Sequence, residues 1–196
     1  MKIHRLLIVA LLLCLSAIAI ADEVPTVLRP PKGAPVALVV FEDLQCPQCA
    51  RAAPLLAQAS QTYKIPLVQH DFPLPMHNWS MNAAVLARYF DTHSKTVGNA
   101  FRDYIFEHQR EILPDNLRGF AEKFAAEHKV ELPFVVDPNG SLAALVNADR
   151  DLGKSINLEH TPTVYIVTDR KTGKPYIEVT DLSQLYAMID AVKNQK

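Results

Sequence analysis

The stretch that decides the fold reads VALVVFEDLQCPQC and spans residues 36–49. Its first part, Val36 to Phe41, is a continuous apolar and β-branched run of strand length, which predicts a buried central strand. Residues 51–60 are rich in alanine and leucine, a composition that is typical of a helix. The cysteine pair Cys46 and Cys49 therefore lies between a predicted strand and a predicted helix.

The position of the two cysteines predicts reactivity. Pro47 suits the first turn of a helix, where its missing N–H costs nothing, so Cys46 is expected at the helix N-terminus. Unpaired amides and the helix dipole stabilise an anion there, so the pKa of Cys46 should be lowered and its sulfur should be the attacking one. Cys49 follows about one turn later on the same face. A disulfide between them closes a small ring and adds little stability, so the pair is better suited to exchange than to cross-linking.

The composition excludes several classes of protein. The chain has 196 residues, of which 49% are hydrophobic and 21% charged, and its formal net charge is −1. It is too apolar for a disordered chain and too poor in cysteine for a disulfide-stapled miniprotein. It also lacks the basic excess of a nucleic-acid binder, so we expect no nucleic-acid partner. The length suits one domain with a substantial core, with room for an inserted subdomain.

Residues 1–21 have the pattern of a secretory signal peptide. Lys2 and Arg5 precede the apolar run from Leu6 to Ile20, and small residues flank the expected cleavage site before Asp22. The run is shorter than the roughly 20 residues of a membrane-spanning helix. An uncleaved anchor and a lipid anchor on the leader cysteine are the alternatives. Cleavage would leave one cysteine pair in a protein exported to an oxidising compartment, either periplasmic or secreted.

The residue pattern alone leaves other roles for the two cysteines open. A structural disulfide is the plainest alternative in an exported protein. Cys46 and Cys49 could also bind a metal with His70 or His77, but structural zinc usually needs four protein ligands and no second cysteine pair exists outside the leader. Copper delivery with two thiolates and one histidine is the remaining metal hypothesis. A non-catalytic binding module is a third alternative.

The rest of the chain predicts an α/β order of elements. Residues 22–34 contain three of the chain's prolines and read as an irregular lead-in. A strand–helix–strand start implies a parallel crossover, and two late strands joined by a short turn imply a hairpin. The further predicted elements are a strand at 65–71, helices between 77 and about 129 and between 139 and 156, strands at 163–168 and 176–179, and a helix at 181–192.

Four segments together resemble a known family. Residues 41–49, Phe-x-Asp-x-Gln-Cys-Pro-x-Cys, resemble the active site of exported thiol–disulfide oxidoreductases of the DsbA type, in the thioredoxin superfamily. Asp71-Phe72-Pro73-Leu74, followed by His77, resembles the segment after their second core strand. The helical block at about 78–155 resembles their inserted helical subdomain. His160-Thr161-Pro162-Thr163 resembles their Gly-Thr-Pro-Thr loop.

This resemblance implies a fold and a site. The fold is a thioredoxin fold over residues 35–196, with a helical insertion at about 78–155. In the family the loop proline is cis and faces the cysteine pair, and the residues around it bind the client chain in the mixed disulfide. The implied site residues are the catalytic Cys46 and Cys49, the active-site dipeptide Pro47 and Gln48, and the client-binding Thr161 and Pro162.

The resemblance also implies an activity. The protein would be an enzyme that donates disulfides to folding exported proteins with cysteines, and a membrane quinone-linked partner would reoxidise it. The same dithiol could instead run as a reductase or an isomerase, because direction depends on the reduction potential. We expect no cofactor and no metal. Residues 22–34 are too few for a dimerisation domain, so we expect a monomer.

Three positions depart from the family pattern. Val40 stands where many relatives carry a buried glutamate that assists proton transfer, and we expect the nearby Glu42 and Asp43 to be solvated charges at a strand end. His160 replaces the usual glycine, and its imidazolium is a candidate for tuning the thiolate. Gln48 is neutral, so its side chain supplies no charge to the site.

Overall fold

Four strands form a mixed sheet in the order β2–β1–β3–β4. They are β1 (Val36–Glu42), β2 (Leu67–Asp71), β3 (Thr163–Thr168) and β4 (Tyr176–Glu178). Strand β1 pairs in parallel with β2 and antiparallel with β3, and β3 pairs antiparallel with β4. The parallel first pair and the late hairpin are therefore confirmed. The structure is a computed structural model that describes residues 24–170 and 173–194, so the leader predicted at 1–21 lies outside the described residues.

The described part of the chain also forms six α-helices. They are α1 (Pro47–Tyr63), α2 (Ser80–Asp91), α3 (Lys95–His108), α4 (Leu117–His128), α5 (Ser141–Ser155) and α6 (Leu185–Asn194). Helices α2 to α5 lie between β2 and β3 in sequence and form the helical insertion, which confirms the predicted thioredoxin fold. Within the described residues, no helix is both long and apolar enough to cross a membrane.

Strand β1 separates two layers of the core because its side chains alternate between faces. Val36, Leu38 and Val40 pack with buried residues of α1 and α6. Ala37, Val39 and Phe41 face the other side, where they pack with Val27 and Leu28 and with the partly buried Leu152 of α5. The lead-in therefore contributes to the core: Thr26–Leu28 forms a short 3₁₀ turn within the segment predicted as irregular.

The helical insertion has its own aromatic core. Phe90, Phe101 and Phe124 are each buried, and their ring centroids lie 4.5–5.1 Å apart. Cys46 and Cys49 belong to the same cluster of buried residues. The insertion therefore packs directly against the end of the sheet that carries the cysteines.

A buried ion-pair network joins the insertion to the sheet. Arg88 of α2 contacts the carboxylates of Asp71 and Asp149, and His70 Nδ1 lies 2.8 Å from Asp149 Oδ1. Arg102 of α3 lies 3.6 Å from Asp71. Asp149 is only 9% exposed, although aspartate is mostly a surface residue. Arginines from two distant helices pair with these carboxylates, and paired charges tolerate burial.

Candidate active site around Cys46 and Cys49

Cys46 caps the N-terminus of α1 and Pro47 occupies its first turn, as the sequence predicts. The Cys46 N–H donates to the Asp43 carbonyl at 2.9 Å, and this turn brings the chain from β1 into the helix. Both cysteines are free thiols; Cys46 is 5% and Cys49 1% exposed. The structure therefore shows a dithiol at the junction of strand and helix.

The two thiols differ in acidity. A hydrogen bond from the Cys49 thiol, helped by the backbone N–H groups of Cys49 and Gln48, lowers the pKa of Cys46 to about 5, although burial opposes this shift. Burial raises the pKa of Cys49 well above its usual range, and the hydrogen bond to Cys46 adds to the effect. At neutral pH Cys46 is thus a thiolate and Cys49 a thiol. Gln48 contributes through its backbone amide, which needs no charged side chain.

The loop that ends at β3 faces the cysteine pair. The Thr161–Pro162 peptide bond is cis, and the Cys46 sulfur lies 3.3 Å from the Thr161 carbonyl oxygen. The Thr161 hydroxyl is buried and has no hydrogen-bond partner among the described residues. His160 is exposed, and its backbone carbonyl accepts from the Thr163 hydroxyl at 2.7 Å. Within the part of the chain that the structure describes, its ring makes no hydrogen bond to Cys46, so thiolate tuning by His160 stays a hypothesis.

Glu42 is buried rather than solvated, so that expectation was wrong. Strand alternation places Glu42 on the same face of β1 as Leu38 and Val40, toward α1, and its side chain accepts from Gln69 Nε2 at 3.0 Å. Burial raises the pKa of Glu42 to about 7, against the attraction of Arg102. A negative charge on Glu42 would raise the pKa of Cys49, so the two groups interact.

A cavity of about 490 Å³ reaches Glu42 from the side of α1, β2 and α3. Much of its wall is polar, with Ser60, Gln61, Gln69, Asn99 and Asp103 among the lining residues. Such a wall can hold hydrogen-bonded water, so the cavity offers Glu42 a polar path to solvent.

Asp43 is also buried, contrary to the sequence-based expectation, and its carboxylate accepts four hydrogen bonds. The donors are the N–H groups of Gln45 and Leu74, the His77 ring and the Ser80 hydroxyl. The backbone N–H of Asp43 donates to the Cys49 sulfur at 3.4 Å. Sequence reasoning missed this cluster, although the segment from Asp71 to His77 singled out by resemblance contains two of its donors.

Two glutamines, one in the active-site loop and one in the insertion, link these two segments by hydrogen bonds. Sequence reasoning missed both. Gln109, just after α3, donates through Nε2 to the carbonyls of Leu44 at 2.8 Å and Cys46 at 3.1 Å. Gln45 accepts from the Trp79 N–H at 2.9 Å and donates to the Asn78 side chain at 3.2 Å. The loop before Cys46 is therefore hydrogen-bonded to the residues that precede α2 and to the residue that follows α3.

The predicted third ligands for copper are engaged elsewhere. His70 pairs with Asp149, and His77 pairs with Asp43 at 2.7 Å. Across residues 24–170 and 173–194, no group of three or more histidine, cysteine, aspartate or glutamate side chains is arranged to hold a metal ion. Both histidine rings are therefore held on carboxylates rather than on the cysteines.

The fold and the dithiol site define a thioredoxin-fold protein with an inserted helical subdomain. A family model described as Thioredoxin matches residues 26–191, and the chain belongs to this family. Among solved structures, it is similar to DsbA2 of Pseudomonas aeruginosa, with 20% identity and a TM-score of 0.62 over 83% of this chain and 91% of that chain. It is also similar to BdbD of Bacillus subtilis, with 19% identity and a TM-score of 0.64 over 84% and 88%. At these identities the likeness shows the fold.

The chain is also similar to a segment of larger proteins. It is 26% identical over 168 residues to the Na⁺/H⁺ antiporter NhaA 3 of Salinispora tropica, covering 83% of this chain and 25% of the relative. A second antiporter, NhaA 1 of Salinispora arenicola, gives 26% identity over 159 residues and 23% of its length. The chain thus spans about a quarter of the curated relatives that it matches.

Proposed function

We propose that the protein is a thiol–disulfide oxidoreductase that donates disulfides to exported proteins. The observation that carries the proposal is the difference between the two thiols: Cys46 has a pKa of about 5, whereas the pKa of Cys49 is raised. Stabilising the Cys46 thiolate stabilises the reduced protein, which makes the disulfide form a stronger oxidant. This favours the oxidase direction over the reductase direction.

The reaction begins with the Cys46–Cys49 disulfide. A client thiolate attacks the Cys46 sulfur, the Cys46–Cys49 bond breaks, and Cys49 leaves as a thiolate that takes up a proton. The second client thiolate then attacks the client sulfur of the mixed disulfide, and Cys46 leaves as a thiolate. Two electrons pass from the client dithiol to the cysteine pair, which ends reduced, as in this structure, and the pKa values favour a Cys46 thiolate beside a Cys49 thiol.

We assign Glu42 as the group that exchanges a proton with Cys49. Cys49 is 1% exposed, so its proton needs an internal route. Glu42 is buried, interacts electrostatically with Cys49, has a pKa of about 7 and borders the polar cavity. A group that titrates near neutral pH both accepts and donates protons efficiently. Val40 stands at the position of the family's glutamate, and Glu42 offers a carboxyl two residues further along the same face of β1.

The loop of Thr161 and Pro162 is the proposed client-binding element. Its backbone lies against the Cys46 sulfur, so an extended client chain bonded to Cys46 would pass directly over it. Backbone pairing of this kind binds clients of many sequences, as edge-strand addition does. Pro47 and Gln48 would border the same client.

Export and reoxidation complete the proposal. The apolar leader supports an exported protein, and the family resemblance supports a membrane quinone-linked oxidant for the reduced pair. The same geometry would serve a reductase or an isomerase if the reduction potential were low. The observation favouring the oxidase is again the acidic Cys46 thiol.

The deciding experiment is the equilibrium of the Cys46–Cys49 couple with glutathione buffers. We expect a potential near about −120 mV; a value near about −270 mV would indicate a reductase. Absence of exchange in the wild type, together with stoichiometric copper retained after desalting and lost in Cys46→Ser, would replace the proposal by metal delivery. Client binding that survives in the Cys46→Ser, Cys49→Ser double variant would favour a non-catalytic module.

A further inference from the structure

Asp43 contacts both cysteines through its own peptide groups. Its N–H donates to the Cys49 sulfur at 3.4 Å, and its carbonyl accepts from the Cys46 N–H at 2.9 Å. A small movement of this residue would therefore change the hydrogen bond to the Cys49 sulfur and the hydrogen bond to the Cys46 backbone. The N–H of Asp43 acts directly on the reacting sulfur, because a hydrogen-bond donor stabilises a thiolate more than a thiol.

The side chain of Asp43 determines where that peptide lies. Its carboxylate is wholly buried, and such a charge is tolerated only when its oxygens are hydrogen-bonded. Oδ1 accepts from the Gln45 N–H at 2.7 Å and from the Ser80 hydroxyl, and Oδ2 accepts from the Leu74 N–H and the His77 ring, each at 2.7 Å. Three of these donors lie in residues 74–80, which lead into the helical insertion. The carboxylate therefore fixes the active-site loop to a second segment of chain.

We infer that the buried carboxylate of Asp43 is a positioning group that holds the Asp43 N–H on the Cys49 sulfur and so stabilises the Cys49 thiolate formed when the disulfide is attacked at Cys46. This inference rests on the proposed exchange function. In that step the attacking thiolate forms a bond to Cys46, the Cys46–Cys49 bond breaks, and its electron pair leaves on Cys49. A better stabilised leaving thiolate departs faster.

The Asp43 N–H should affect the rate of disulfide opening more than the redox equilibrium of the cysteine pair. At neutral pH the finished product carries a protonated Cys49, so the N–H bond to a Cys49 thiolate acts mainly during bond breaking. Replacing Asp43→Asn keeps the volume but turns one acceptor oxygen into a donor that faces existing N–H or O–H groups, which displaces the loop. We expect opening of the disulfide to slow while the Cys46 pKa and the glutathione equilibrium change much less.

The test measures reduction of the oxidised full chain by dithiothreitol in stopped flow, followed by the fluorescence of Trp79. Trp79 is the single tryptophan of the chain and lies in the same buried cluster as the cysteines. We expect Asp43→Asn to reduce disulfide opening roughly tenfold, the effect of losing one hydrogen bond to a charged group. The matched control is Asp149→Asn, which alters another buried, hydrogen-bonded carboxylate; it should lower stability and leave the opening rate unchanged.

Equal opening rates in wild type and Asp43→Asn, or equal slowing in Asp149→Asn, would overturn the inference. If Asp43→Asn does not fold, His77→Ala removes one of the four donors and gives a smaller decrease in the same rate; an unchanged rate there would also overturn it. A wild type that fails to exchange with dithiothreitol would instead contradict the proposed function. The two failures are therefore distinct.

Discussion

The Cys46 sulfur lies 3.3 Å from the Thr161 carbonyl oxygen, across 115 residues of sequence. This contact joins the start of α1 to the start of β3, two elements that the sheet brings together because β1 and β3 are antiparallel neighbours. Phe41 pairs with Thr163 in that register, so the residues that follow β1 and those that precede β3 lie at the same end of the sheet. The reactive sulfur is thereby presented beside a loop backbone.

The acidity of Cys46 depends on Cys49. The hydrogen bond from the Cys49 thiol is the largest influence on the Cys46 pKa, so Cys49→Ala should raise that pKa from about 5 toward the usual range. Cys49→Ser keeps a hydroxyl donor and should raise the pKa less. The pH dependence of thiolate ultraviolet absorbance and of alkylation by iodoacetamide measures both. Identical titration of Cys46 in wild type and Cys49→Ala would contradict this account.

Glu42 should make the reduced protein less stable at alkaline pH. Its pKa is about 7 in the folded protein against 4.5 in the unfolded chain, so folding favours the protonated carboxyl. The contribution of protonated Glu42 to the free energy of unfolding is fully present below pH 4.5 and is lost as the pH rises through 7. Glu42→Gln should therefore be more stable than wild type at pH well above 7, by up to about 3 kcal/mol.

Urea unfolding of the reduced protein in acid and in alkali measures this difference. Glu178→Gln, at an exposed position at the end of β4, is the matched control and should show no such dependence. If Glu42→Gln raised the free energy of unfolding equally at low and high pH, the raised pKa of Glu42 would not be the cause of the stabilisation.

Removing Arg102 should strongly destabilise the protein. The side chain is 3% exposed and pairs with Asp91 at 3.0 Å and with Asp71 at 3.6 Å. Arg102→Ala leaves both carboxylates buried without this partner, which typically costs about 3–5 kcal/mol. Lys154→Ala breaks the exposed pair with Asp151 and should change the free energy of unfolding by less than about 1 kcal/mol. Similar losses in the two variants would refute the structural role given to the network.

Gly153 in α5 allows the helix to pack closely against the sheet. A Cβ atom at this position would lie 2.5 Å from Phe72 Cε2 and 3.3 Å from Phe41 Cδ1. Gly153→Ala should therefore lower the free energy of unfolding by roughly 1–3 kcal/mol through overpacking. Gly119→Ala, in α4 with open space around it, should raise it by about 0.5–1 kcal/mol because alanine favours the helix. Thermal or urea unfolding compares the pair, and a stabilised Gly153→Ala would contradict the packing.

The sequence alone was sufficient for the elements whose signals are local. The apolar run of β1 predicts a buried strand, and all seven of its residues are buried. Pro47 predicts the start of α1 with Cys46 at its end, because proline fixes a helical backbone angle and lacks the N–H that a first turn leaves unpaired. These properties depend on a residue and its near neighbours, so they can be inferred before any tertiary contact is known.

Only the tertiary structure decided which charged residues are buried. Glu42, Asp43 and Asp149 have the polar character of surface residues, yet each is nine-tenths or more buried. Their burial depends on donors and cations that come from distant segments: Gln69 for Glu42, His77 and Ser80 for Asp43, and Arg88 for Asp149. Local sequence carries no record of such partners, because the free energy of a buried charge is set by the groups that the fold brings around it.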